Sequence, residues 1–286
     1  MKICTSTTAW THFFSMKETL QKLAEAGFDA IDLSLYDLEK TTILDSTNYL
    51  EQAAAIRDMA SSIGLEILQA HAPFGHHWTD EEGIARVIRS IEVCGIAHIP
   101  NIVVHPCFLG DRQYNEKQKE YFNINVSYYN RLRPYAEKAG VKIAIENMFV
   151  WDSQRNQIAP SIFSTAEEML DMLRVLDGPF TVCLDVGHTN LNGAQTAEEM
   201  IRKLGKEHLG CLHIHDNDGI SDLHTLPFMQ KMDFKPIFTA LHEIHYSGYF
   251  TYEADGFFAR LPASCYSAAA RLMADLARDF IRTYQL

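Results

Sequence analysis

The sequence predicts an α/β protein built as a single (β/α)₈ TIM barrel, and three observations predict it. Short β-rich apolar runs alternate with amphipathic helical patterns along the whole chain, the signature of parallel βα units. Eight such units fit in 286 residues with no Pro/Ser-rich linker and no shift of composition, so residues 1–286 read as one domain. No GxGxxG follows the first strand, which argues against an open doubly wound sheet.

The first strand is Ile3 to Ser6, and its helix opens at Ser15 with Glu18 three residues on, a capping box, followed by Leu20, Leu23 and Ala24 at helical spacing. Gly27 stops that helix before the second strand, Phe28 to Leu35. A helix over about Tyr49 to Ser62 and then Gly64 lead to the third strand, Leu65 to Ala70. The next unit places a helix over about Asp80 to Cys94 and a strand at Ile102 to Val104. A long helix from about Asn115 to Lys138 ends at Gly140, and strand five is Val141 to Ile145. Helix five starts at a capping box, Ser164 to Glu167, and ends at Gly178 ahead of strand six, Phe180 to Leu184. Thr196 with Glu199 opens helix six; Gly210 leads into strand seven, Cys211 to Ile214. Helix seven runs from about Phe234 to His245, and Gly248 precedes strand eight, Tyr249 to Tyr252. The last helix is Ser264 to about Tyr284, with Ala269, Leu272, Met273, Leu276 and Phe280 on one face.

Composition narrows the function classes. With 47% hydrophobic and 22% charged residues the chain is of ordinary globular type, which rules out disorder and fibrous repeats. A net charge of −12 makes nucleic acid an unfavoured partner. No run of about 18 apolar residues occurs, so no membrane partner is expected, and the N-terminus carries no leader pattern; the expected location is cytoplasmic. Cys4, Cys94, Cys107, Cys183, Cys211 and Cys265 form no CxxC pair, so reduced, buried thiols are expected.

In a barrel the chemistry lies at the C-terminal strand ends. Strand three ends at His71, strand four at His105 and strand five at Glu146-Asn147. Strand six ends at Asp185, with His188 three residues later, and strand seven carries His213 and His215 in HIHDND. Asp222 and His224 form a DxH pair, and strand eight ends in Glu253-Ala254-Asp255. Taken singly, a His at a strand end is more often structural than a ligand. Six strands delivering such groups to one face need a compensating cation, and a divalent metal is the economical answer. Glu146, Asp185, His213 and Glu253 are the expected ligands of one divalent ion, Mn²⁺, Zn²⁺, Co²⁺ or Mg²⁺. Trp10, Phe13, Phe74, Trp78, Phe149 and Trp151 are candidates to stack on a ligand's C–H face or exclude water at the mouth, with rim packing as the alternative. Lys231 and Arg260 are candidate phosphate or carboxylate contacts.

The ordered set HAPF, HP, IENM, LDVGH, HIHDND, DLH and YEAD, spread over essentially the whole chain, resembles the xylose isomerase-like TIM barrel superfamily. That superfamily holds sugar (phosphate) isomerases and epimerases together with zinc-dependent apurinic-site endonucleases. For the isomerase and epimerase branch, the resemblance implies a small-molecule sugar substrate in carbohydrate metabolism and a metal on the four residues above. It also implies Glu146 and Glu253 as catalytic acid/bases working through a metal-stabilised enediolate, with substrate contacts from His71, His105, His188, His215, Asp222, His224 and Asp152; Trp10 and Trp151 join the expected substrate contacts by their place at the mouth. This branch usually carries a Glu and an Arg where this chain has Asp152 and Gly219. For the endonuclease branch, nine ligand types match: His71, His105, Glu146, Asp185, His188, His213, Asp222, His224 and Glu253. That match implies a multi-zinc phosphodiesterase, the alternative reading, while acidic loops after strands three and seven oppose DNA. A non-catalytic sugar-binding barrel is the third reading. Barrels of this kind are often homodimers or homotetramers, for which the aromatic rim would supply contact material.

Overall fold

The computed structural model describes residues 1–36, 42–107, 114–153 and 155–286. Eight parallel strands form the barrel: β1 Lys2–Ser6, β2 Ala30–Ser34, β3 Glu66–His71, β4 Asn101–Val104, β5 Lys142–Glu146, and then β8 Phe180–Asp185, β9 Leu209–His213 and β10 Tyr249–Tyr252. An antiparallel hairpin, β6 Phe149–Asp152 and β7 Gln157–Pro160, is inserted after β5. The helices are α1 Thr8–Thr11, α2 Met16–Ala26, α3 Tyr49–Ser62, α4 Glu81–Ala97, α5 Tyr114–Ala139, α6 Ala166–Val175, α7 Val186–Asn192, α8 Ala197–His208, α9 Phe234–Glu243, α10 Asp255–Phe258 and α11 Tyr266–Tyr284. The predicted βα alternation is therefore observed, and the hairpin, α1, α7 and α10 are additions that all come after C-terminal strand ends.

Local chemistry accounts for the helix boundaries. The Ser15/Glu18 and Thr196/Glu199 boxes close as expected, and Gly27 ends α2 in the left-handed region at φ 99°, where a side chain would be strained. Helix α6 differs by one residue from the expectation. Thr165 caps it through Glu168 N, because Ser164 Oγ is engaged with Ser161 instead. Among the described residues no helix is long and apolar enough to cross a membrane.

Two apolar layers hold the barrel. Inside, small residues fill the narrow lumen, with Val103, Ala144, Cys183 and Cys211 in one cluster and Cys4, Ala30 and Leu68 in another. Outside, the strands pack on the helices through larger groups. Phe238 of α9 stacks on Phe280 of α11 at 5.0 Å and lies 5.8 Å from Phe250 of β10, contacts worth roughly 0.5–1.5 kcal/mol each beyond area burial.

Two register shifts set which side chains meet inside the barrel. Between β2 and β3 the register slips at Ile31/Asp32, bringing Asp32 opposite Gln69, and between β8 and β9 it slips at Val182/Cys183, bringing Asp185 opposite His213. The ring closes thinly: β9 and β10 meet through a bridge between Ile214 and Tyr252, with Ile214 N donating to Thr251 O (2.9 Å) and Glu253 N to Ile214 O (3.3 Å).

Candidate functional site

The C-terminal strand ends converge above this small-residue lumen. Parallel strands set side by side about 4.8 Å apart leave their terminal side chains at ligand spacing. His71, Glu146, Asp185 and His213 are the last residues of β3, β5, β8 and β9, while His105 and Glu253 come directly after β4 and β10. His213 is the hub. Its Nδ1 lies 2.8 Å from Glu146 Oε1, 3.1 Å from Glu253 Oε2 and 3.9 Å from Asp185 Oδ2. The ligand atoms of these four buried residues all lie within 4.8 Å of one another. Three buried carboxylates around one imidazole suit a borderline-hard divalent cation, so the donor chemistry fits the expected ion.

A flanking group shares Glu146. Its Oε2 is 2.8 Å from His105 Nε2 and 3.6 Å from His71 Nε2, and these three also stand at ligand spacing. Burial raises the Glu146 carboxyl, but His213 and His105 outweigh it and hold it well below the usual carboxylate range. Glu253 is likewise raised by burial and brought far down by His213 and His224.

A third group stands on the segments that follow β8 and β9. His188, on α7, has its Nδ1 2.8 Å from Asn147 O and its Nε2 3.8 Å from Asp222 Oδ2, while His224 Nε2 lies 2.8 Å from the same Asp222 oxygen. With His215 these residues form another set within ligand distance. Burial lowers His188, yet Asp185 and Asp222 outweigh it and push the imidazole up to about 10. Asp222 is raised by burial and carried far below the carboxylate range by His188 and His224.

A cavity of about 550 Å³ opens onto these groups. Its wall includes His71, His105, Glu146, His188, Asp222, His224 and Glu253, with Phe74 and Phe149 as aromatic faces. No Lys or Arg stands among the described residues that line it.

Four expected substrate contacts stand outside the cavity lining. Trp10 is fully buried, because α1 turns its indole onto Phe258 (5.4 Å) and Tyr266 (5.3 Å), away from the cavity. Trp151 and Asp152 lie on the β6–β7 hairpin outside the lining, and Asp152 Oδ1 accepts from Arg155 N. His215 is sealed behind the wall: its Nε2 is 3.0 Å from Asp185 Oδ1, and its ring stacks on His224 at 4.0 Å. Lys231 and Arg260 are exposed and lie outside the lining, as do Phe13 and Trp78.

Sequence reasoning assigns no role to several residues that build the site. Asp32 and Gln69, buried inside apolar strands, contact His213 from below. Asn147 bridges β5 and β8 by donating to Asp185 O (2.9 Å) and accepting from Asp185 N (2.7 Å). Tyr36 and Asp255 line the cavity, Asp255 accepting from Ser6 Oγ at 2.5 Å. The available signal is a polar residue breaking an apolar strand, as in AIDLS and EILQAH.

The fold and site together define a barrel protein with a buried carboxylate–imidazole centre of metal-ligand type at the C-terminal ends of its strands. The chain belongs to the xylose isomerase-like TIM barrel family, whose model matches residues 20–276. It is 24% identical over 253 residues to the uncharacterised protein MJ1311 of Methanocaldococcus jannaschii, covering 84% of this chain and 79% of that protein. The fold is similar to a D-tagatose 3-epimerase-like protein (TM-score 0.77, 22% identity, covering 100% of this chain and 98% of that one). It is also similar to the IolI protein with a bound zinc atom (TM-score 0.74, 21% identity, 99% of each chain).

Proposed function

We propose that residues 1–286 act as one domain, a divalent-metal-dependent isomerase or epimerase of a small sugar, sugar phosphate or polyol-type ketone. The observation that carries the reading is the set Glu146, Asp185, His213 and Glu253, gathered within 4.8 Å, with both glutamates lining the cavity. These four residues would hold the ion, Mn²⁺, Zn²⁺, Co²⁺ or Mg²⁺, whose charge makes a proton beside a carbonyl removable. Glu146 and Glu253 would be kept ionised by the ion they hold, the state in which a carboxylate accepts a proton. Phe74 and Phe149 shield the reacting carbons from water, and His188 and Asp255 offer polar atoms to substrate hydroxyls. The epimerase-like and zinc-binding structures with the same fold support the reading by analogy. Five buried thiols and no disulfide are consistent with a cytoplasmic enzyme.

A second reading has its own observation. Besides the four-residue set, the further groups at ligand spacing among the described residues include His71–His105–Glu146 and His188–His215–Asp222–His224, as a multi-zinc phosphodiesterase would require. The net charge of −12 and the lack of Lys or Arg in the described lining weigh against a DNA substrate.

Two measurements test these readings. About one divalent ion per chain in protein purified without chelator supports the isomerase or epimerase; two or three zinc ions favour the phosphodiesterase. Glu146→Gln and Glu253→Gln should each keep the fold and lower exchange of a sugar's carbon-bound proton with solvent by about 10²–10⁴-fold. Unchanged exchange in both variants refutes the two-carboxylate scheme, and metal and sugar binding without turnover in the wild type leaves a binding barrel.

A further inference from the structure

The floor beneath the candidate ligands holds a buried charge that the proposed chemistry does not use. Asp32 lies in the middle of β2, 1% exposed, in the strand AIDLS where every other inward position is apolar or small. A buried carboxylate is costly unless it is paired or hydrogen-bonded, so its presence calls for a reason. The register shift at Ile31/Asp32 brings it level with Gln69, and such an irregularity re-aims a side chain. Asp32 Oδ2 thereby reaches two groups, Gln69 Nε2 at 2.7 Å and His213 Nε2 at 3.3 Å, while Oδ1 is buried with no partner.

His213 is therefore gripped from both sides. Its Nδ1 faces Glu146, Glu253 and Asp185 and must present a lone pair if it is to bind a cation held by them. A neutral imidazole with a bare Nδ1 carries its hydrogen on Nε2, and that hydrogen needs an acceptor in a site closed to water. Two groups lie within reach of Nε2. Asp32 Oδ2 is an acceptor, whereas Gln69 Nε2, at 2.8 Å, is a donor whose carboxamide oxygen is turned to Thr251 Oγ1 (3.4 Å), so in the metal-binding tautomer its N–H must turn from the imidazole to the Asp32 carboxylate it already reaches at 2.7 Å. Gln69 also donates to that same Asp32 oxygen, which keeps the carboxylate turned toward the imidazole.

From this arrangement we infer that Asp32 is a positioning residue. It takes the Nε2 hydrogen of His213, fixes the tautomer that turns the Nδ1 lone pair into the ligand set, and locks the ring plane, with Gln69 as its brace. Asp32 is buried outside the cavity lining and acts only through His213. The inference rests on the metal-dependent reading, and it assigns a task to strand β2, which contributes no residue to the ligand set.

The test uses Co²⁺ as the probe, on the full chain, by titration calorimetry and visible absorption. Asp32→Asn, which keeps the shape, should weaken Co²⁺ binding by about 10–100-fold and alter the cobalt absorption bands, with the circular dichroism of the metal-free protein unchanged. An anion nearby also attracts a cation at a distance, so a double-mutant cycle separates the two effects. If Asp32 works through His213, adding Asp32→Asn to His213→Ala weakens binding little beyond His213→Ala alone. Full additivity, or an Asp32→Asn protein with wild-type affinity and spectrum, overturns the assignment while leaving the metal reading in place. A wild-type chain that takes up no Co²⁺ overturns both.

Discussion

The two halves of the site are built differently. The group around His213 stands on the ends of β5, β8, β9 and β10, where sheet hydrogen bonds fix each Cα, and all four of its members are buried. The group around Asp222 stands on α7 and on the long connection after β9, where His224 sits in the left-handed region at φ 43° and Asp222 and His224 are partly open to the cavity. A strand end positions a ligand by the ladder that the whole barrel maintains, whereas a loop must hold its residues by local packing. Under the proposed function, chemistry that needs fixed geometry falls to the first group and adjustment to a ligand to the second.

The largest effect should come from breaking the strand-borne group. Asp185→Ala removes a candidate ligand and also the partner of His215 Nε2 and the cap of α7 at His188 N. It should abolish tight Co²⁺ binding and cost about 3–5 kcal/mol in denaturant unfolding. Next in size is a break in the packing under the loop-borne group. A Cβ at Gly256 would stand 1.9 Å from the carbonyl oxygen of Leu223, between Asp222 and His224, so no side-chain motion relieves the contact. Gly256→Ala should lower stability by roughly 1–3 kcal/mol and weaken sugar binding more than metal binding, as calorimetry with each ligand would reveal.

The halves should also separate by pH in the metal-free protein. Glu146 and Glu253 have lowered folded pKa values, so their contribution is present above about 4.5 and lost as the pH falls below it. His188 is raised, so its contribution is complete below about 6.5 and lost as the pH climbs toward about 10. Thermal melts of His188→Gln and wild type should therefore differ most at pH 6 and converge by pH 10; a gap independent of pH would contradict the pairing with Asp222. The smallest effect is expected at the hairpin, where Trp151→Ala should shift stability by less than about 0.5 kcal/mol and leave turnover unchanged.

The same contrast explains what is legible in the sequence. Residues at strand ends can be placed because a barrel's periodicity dictates where each strand stops, and Glu146, Asp185, His213 and Glu253 stand at the strand ends that periodicity marks. Trp10 and Trp151 cannot, because the turn and hairpin that aim them are set by tertiary packing and not by any local repeat. Asp32 and Gln69 escape for another reason. Each interrupts an apolar run by one residue, and only the register slip, invisible in a linear pattern, turns them toward His213. The cap of α6 falls one residue later than the pattern suggests because Ser164 finds a closer partner in Ser161.

The thin closure between β9 and β10 carries a mechanical consequence. His213 ends one of those strands and Glu253 succeeds the other, with two backbone hydrogen bonds between Ile214 and its neighbours joining the two sides. An ion gripped by both residues would act as a clasp on the hoop. Occupancy would then be felt as slower amide exchange at Ile214 and Glu253, and removal of the ion would make this seam the place where the ring first parts.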